Sequence, residues 1–117
     1  EFHESVTKYD IVTDIKEYLQ KNDYLDVLIV MNDTVAFAAY KAASELRKDI
    51  PADLKLISYG NYNWSSFPTI GLTTFEQHFF KYGKEAVKLL LKRMSGTSSM
   101  IQQRRIIKYD LQRRKSF

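Results

Sequence analysis

Leu54-Lys55-Leu56-Ile57-Ser58-Tyr59-Gly60-Asn61-Tyr62-Asn63, followed after a loop by Ile70-Gly71-Leu72-Thr73-Thr74-Phe75, is the stretch that decides the fold. Its first six residues are a short apolar run that stops at glycine and asparagine. The second piece, Leu72 to Phe75, is briefly extended and leads into a helical pattern. Short apolar runs bounded by polar residues suit strands covered on both faces, as in a parallel sheet. Upstream, Val27-Leu28-Ile29-Val30-Met31 is another such run, and it stops at Asn32-Asp33. We read strands over 26–31 and 54–59, with a loop over 60–69.

Helical patterns separate these strands. Ile11, Val12, Ile15, Tyr18 and Leu19 recur at helical spacing between Tyr9 and Asn22. After the first strand, Asp33 or Thr34 can cap a helix whose apolar stripe is Ala36, Ala39, Tyr40, Ala43 and Leu46. Pro51 ends that region. The strongest helix runs from Gln77 to Met94, with Phe79, Phe80, Ala86, Val87, Leu90, Leu91 and Met94 on its buried side. Ser95 to Ser99 is a turn, and Met100 to Leu111 is a last strand. Strand, helix, strand, helix, strand implies right-handed crossovers and a parallel sheet with helices on both faces. The fold class is α/β.

The 117 residues make one domain or a piece of one. An apolar fraction of 44% and 16 aromatic side chains suit a packed core. No stretch approaches the roughly 18 apolar residues of a membrane helix. The N-terminus has neither a basic start nor an apolar core, so no signal peptide is expected, and the missing initiator Met suggests a chain cut from something longer. Without cysteine, disulfides and thiolate metal sites are excluded, in keeping with a cytoplasmic home. The basic charge is concentrated at the end, where Arg104, Arg105, Lys108, Arg113, Arg114 and Lys115 face Asp110 alone. Such a tail can bind nucleic acid, but Arg105-Ile106-Ile107-Lys108-Tyr109 reads more simply as a half-exposed strand with solvated charges.

No catalytic constellation emerges. His3 and His78 belong to no metal spacing, and the glycines Gly60, Gly71, Gly83 and Gly96 are isolated. Asp23 and Asp26 read as capping and solvated groups, and Ser65 and Ser66 lack a Gly-x-Ser-x-Gly frame. The chain is not expected to be an enzyme, and no cofactor or metal is implied.

A ligand site is better supported. In open parallel sheets ligands bind beyond the carboxyl ends of the strands. Asn32-Asp33 and Gly60-Asn61-Tyr62-Asn63-Trp64 lie at two such ends. A polyol needs short amide or carboxyl groups together with aromatic faces, and Asn32, Asn61, Tyr62, Asn63 and Trp64 supply amides and aromatic faces. The same asparagines also suit a simpler role, capping a helix and closing turns.

The ordered set of Asn32-Asp33, Ile50-Pro51-Ala52-Asp53-Leu54, Ser58-Tyr59-Gly60-Asn61, Thr73-Thr74 with Gln77 and Gly83, and Arg114-Lys115-Ser116 resembles the lactose/galactose repressor (LacI/GalR) family of bacterial transcription regulators. The resemblance covers about residues 10–117 and falls in the C-terminal half of the effector-binding domain, a periplasmic-binding-protein-like type I fold. It implies a small-molecule effector, a sugar or sugar phosphate, contacted by Asn32 and by an aromatic at Phe79. It implies a homodimer in which the helix carrying Ala36, Ala39, Tyr40 and Ala43 takes part. Core packing would explain the alanines equally well. It implies operator DNA bound through a headpiece absent from this chain, and no membrane partner. It also implies that residues 1–117 are the C-terminal part of the effector-binding and dimerisation domain, with about 76–95 crossing to the other lobe. Left without its other half, the fragment is expected to bury its sheet edges against a second copy.

Two departures stand out. Gly60 occupies the place of the family's acidic ligand residue, leaving only backbone groups there, and Gly71 stands where a proline is usual. A periplasmic-type sugar-binding protein for transport shares the topology and is the alternative.

Overall fold

The computed structural model describes residues 10–96 and 103–117. Helix α1 (Ile11–Lys21) opens at Asp10, whose carboxylate accepts from Val12 N–H at 3.2 Å and Thr13 Oγ1 at 2.7 Å. Its inner side carries Leu19, almost wholly buried, with Ile15 half-buried against the core. Strand β1 (Val27–Ile29) follows, and then helix α2 (Asp33–Glu45). The cap of α2 is Asn32 rather than Asp33 or Thr34: its side chain accepts from Val35 N–H at 2.9 Å. Asp33 is one residue too far into the helix for that role and turns inward instead.

The small residues of α2 face the molecule's interior. Ala36, Ala39, Ala42 and Ala43 are buried, which lets α1 pack closely on α2. This corrects their expected role in a dimer interface, because Ala36, Ala39 and Ala43 present no surface to a partner. Tyr40 is half-buried, and its hydroxyl donates to the carbonyl of Ile70 at 2.7 Å. Between α2 and β2 (Lys55–Tyr59), Asp53 accepts from Asp49 N–H at 2.7 Å and closes the turn around Pro51.

Strand β2 pairs in parallel with β1 on one side, Leu28 opposite Leu56, and with β3 (Thr73–Glu76) on the other, Ser58 opposite Thr74. Side chains alternate along β2. Leu56 packs with Val30, Ala36, Ala39 and Leu72 in the core, and Ser58 faces Asp33 of α2. Tyr59 lies on the opposite face and stacks on Phe75, ring centroids 4.8 Å apart. Burying leucines such as Leu54, Leu56 and Leu72 contributes about 1.5–3 kcal/mol each.

The sheet order is β1-β2-β3-β4, and β4 (Asp110–Gln112) runs antiparallel to β3. The all-parallel expectation is thereby corrected for the last strand, which returns along the free edge of β3. It is also shorter than expected. Residues 103–109 precede the ladder without joining it, and 100–102 lie outside the described residues. A four-residue β3 offers only three partners to β4.

Helix α3 (Phe79–Met94) forms as predicted, but none of its residues is buried. Phe80 is 86% exposed and Met94 75%, and Val87, Leu90 and Leu91 are exposed with them. The stripe expected to face a core faces outward here, and among the described helices only α1 and α2 pack together beside the sheet. The radius of gyration, 19.4 Å, exceeds the roughly 13 Å of a compact domain of this length.

The C-terminal residues knit the sheet together. Where β3 begins too late to pair with Leu56, Ser116 takes its place: Leu56 N–H donates to Ser116 O at 2.8 Å, and Ser116 Oγ donates to Leu56 O at 2.6 Å. Thr73 N–H donates to Ser116 Oγ at 2.7 Å, so one buried hydroxyl bridges two strands. Gly71, at φ +50°, allows this approach, since a Cβ there would meet Lys115 Cβ at 2.9 Å.

Candidate ligand cleft

Because β1, β2 and β3 are parallel neighbours, their carboxyl ends share one rim, and Met31, Tyr59 and Glu76 lie along it. Asp33 anchors this rim. It is fully buried, and its carboxylate accepts from Ser58 Oγ, Ser65 Oγ, Thr74 Oγ1 at 2.8 Å and Tyr62 N–H at 2.8 Å. A buried charge persists only when its oxygens are satisfied. These four donors come from β2, β3, residue 62 and the 3-10 turn (Asn63–Ser66), so one side chain ties the ends of two strands to the loop.

The loop's shape begins at Gly60, whose φ is +137°. A Cβ there would lie 3.1 Å from Tyr62 Cε1 and 3.5 Å from Asp33 Cγ, so the Tyr62 ring covers the position that a side chain would fill. Tyr62 meets Trp64 edge to face at 5.9 Å, and Trp64 meets Phe37 at 6.3 Å. Asn61, in the left-handed region at φ +54°, is held at both ends of its amide. Arg114 Nη2 donates to its Oδ1 at 2.6 Å, and its Nδ2 donates to Glu76 Oε2. Arg114 Nη1 also holds Leu72 O at 2.7 Å, fastening the C-terminal segment to the rim.

These residues wall an open cavity of about 700 Å³, lined by Gly60 to Trp64 and by Glu76, His78, Phe79, Phe80 and Lys81. Its size falls within the roughly 300–1,000 Å³ of small-molecule sites. His78 opens α3 in the left-handed region and sets its Nε2 2.7 Å from Asp110 Oδ2. Next to this cavity lies a smaller apolar hollow of about 410 Å³, lined by Thr34, Phe37, Trp64, Phe67 and Ile70.

The structure brings five of the six expected ligand residues together: Asn61, Tyr62, Asn63, Trp64 and Phe79 all line the large cavity. Asn32 lies at the neighbouring strand end and caps α2 without lining it. Sequence reasoning missed Glu76, His78 and Lys81, although applying the carboxyl-end rule to the third strand would have found Glu76. It also missed Asp33 as an anchor and Arg114 as a tie, whose partners lie 25 to 53 residues away along the chain. Among the described residues no group of His, Asp and Glu is placed to hold a metal ion.

An α/β domain with a ligand-sized cleft at the carboxyl ends of parallel strands is the class these features define. The family model described as "Periplasmic binding protein-like domain" matches residues 9–117, and the chain belongs to this family, on its LacI/GalR regulator side. It is 32% identical over 80 residues to the HTH-type transcriptional repressor PurR of Aliivibrio salmonicida, covering 68% of this chain and 24% of that protein. It is 30% identical over 83 residues to the ribose operon repressor of Lactococcus lactis, covering 71% of this chain and 25% of the repressor. Among solved structures, the LacI family transcriptional regulator from Enterococcus faecium with bound ribose superposes with a TM-score of 0.75 at 27% identity, covering 91% of this chain and 38% of that one. The chain thus spans about a quarter of the length of these curated relatives.

Proposed function

We propose that these residues form the C-terminal part of the effector-sensing and dimerisation domain of a LacI/GalR-type transcription regulator. The observation that carries this reading is the open, aromatic-walled cavity at the shared rim of three parallel strands. Repressor relatives support it and leave the transport-protein alternative less supported. The effector is a sugar or sugar derivative, contacted by Asn61, Tyr62, Asn63, Trp64 and Phe79. Asn32 adds its amide nitrogen from the adjacent strand end while its oxygen caps α2. The protein acts as a cytoplasmic, non-enzymatic homodimer, and a headpiece outside this chain contacts operator DNA.

Dimerisation uses the outer face of α2, where Phe37 is exposed beside Trp64, Phe67 and Ile70. Residues 76–95 cross to a second lobe, which the unburied α3 supports. Ligand binding between lobes biases their relative orientation and so the spacing of two headpieces.

A thermal-shift screen of sugars and sugar phosphates on the intact protein tests this reading, followed by operator binding with and without any hit. A hit that alters operator affinity is the expected result. Asn32→Ala should weaken that hit and cost about 1 kcal/mol of stability through the lost cap. An unaltered ligand response in Asn32→Ala would remove Asn32 from the site.

A further inference from the structure

We propose that Glu76 is the specificity-determining acceptor of this cleft and that it takes two neighbouring hydroxyls of an uncharged sugar ring; this rests on the effector-site reading above. Glu76 ends β3 and lines the cavity together with Tyr62, Trp64 and Phe79. Its Oε2 accepts from Asn61 Nδ2, and its Oε1 accepts from His78 N–H at 3.2 Å. A carboxylate oxygen accepts about two hydrogen bonds, so each oxygen keeps one position open. Two open positions on adjacent oxygens match two O–H donors on adjacent ring carbons. Asn61 is itself fixed by Arg114, so the acceptor is oriented before any ligand arrives, which lowers the ordering cost of binding.

Gly60 leaves no side chain at the end of β2 to accept in place of Glu76. At the end of β2 a side chain would run into the Tyr62 ring, and the backbone there has the φ of +137° that glycine tolerates. The ring takes the space at the β2 end, and the carboxylate is supplied one strand further on. The ionisable groups around it are Lys81 on the cavity wall, Arg114 on the far side of the Asn61 amide, Asp110 opposite Glu76 in the β3–β4 register, and His78 bonded to Asp110. A ligand phosphate set directly on the Glu76 carboxylate would meet like charge, which the hydroxyls of an uncharged ring do not.

Isothermal titration of the intact protein tests the proposal. The diol probes are D-ribose, D-galactose and inosine, each compared with its 2-deoxy counterpart, and L-arginine tests whether the carboxylate prefers a guanidinium. A diol probe should bind, and it should lose about tenfold or more in affinity when 2-deoxygenated, the cost of one hydrogen bond to a charged acceptor. Glu76→Gln should weaken the same probe by a similar factor. If inosine binds and ribose does not, the diol belongs to a nucleoside rather than a free sugar, and the proposal stands. Equal binding of the diol and deoxy forms, undiminished binding by a folded Glu76→Gln, or binding of arginine alone would overturn it while leaving an effector site in place. If Glu76→Gln does not fold, the diol-to-deoxy ratio on the wild type decides. Should no probe bind the wild type while the wider sugar and sugar-phosphate screen gives a hit, the proposal falls and the effector reading stands; if that screen is empty as well, both fall.

Discussion

Asp33 is the residue on which the rim of the cleft depends. Asparagine there is nearly isosteric, but its amide nitrogen cannot accept, so two of the four donors that converge on the carboxylate lose their partner. Asp33→Asn should therefore destabilise the fold by about 2–4 kcal/mol, as an equilibrium denaturant titration would record. Tyr40 gives a second test at this scale. Burial pushes its phenol above the ordinary value, with the nearby Ser116 hydroxyl opposing, and the neutral form donates to Ile70 O. A raised folded value means that this stabilisation is whole below the unfolded value of about 10 and is lost as pH rises through the higher folded one. Melting midpoints measured from pH 8 to 11 should fall more steeply for the wild type than for Tyr40→Phe.

Among the elements, the C-terminal segment does more than its length suggests. Residues 114–116 bond to β2, to β3 and to the loop at Asn61. Ser116→Ala removes a donor to Leu56 O and an acceptor from Thr73 N–H, both in a buried site. The cost should be about 1–3 kcal/mol, measurable by urea unfolding. Because Arg114 orients Asn61, shortening the chain before residue 114 should also weaken ligand binding, while the residues of the aromatic wall remain in place.

At the level of the whole molecule, α3 buries none of its residues against the other described elements. An amphipathic helix that exposes Phe80, Val87, Leu90, Leu91 and Met94 is at odds with a self-contained globule, as is the large radius of gyration. Leu90 is 57% exposed, and a surface substitution at such a site normally shifts stability by no more than about 0.5 kcal/mol. If α3 belongs to a second lobe in the intact protein, Leu90→Glu there should instead cost about 2 kcal/mol or more, by burying an unpaired charge. Thermal unfolding of the intact variant separates the two outcomes.

What the residues alone determined was the alternation of strands and helices and the rim that the strand ends share. Both follow from local signals: short apolar runs ended by Asn32 and Gly60, and helical periodicity from Ile11 and from Phe79. Asn61, Tyr62, Asn63 and Trp64 could be named for the same reason, since a strand end and the loop after it are contiguous in sequence, whereas Phe79 came from the family resemblance. Tertiary structure decided the rest. Whether the alanines of α2 faced α1 or a second copy depends on how the helix is rotated, which its own spacing does not specify. Asp33 reads as a helix cap until folding gathers its four donors around it. Glu76 looks like any charged strand end until β3 lies beside β2 and Asn61 reaches across. The direction of β4 was likewise beyond local reading, because an edge strand pairs with whichever neighbour the returning chain meets.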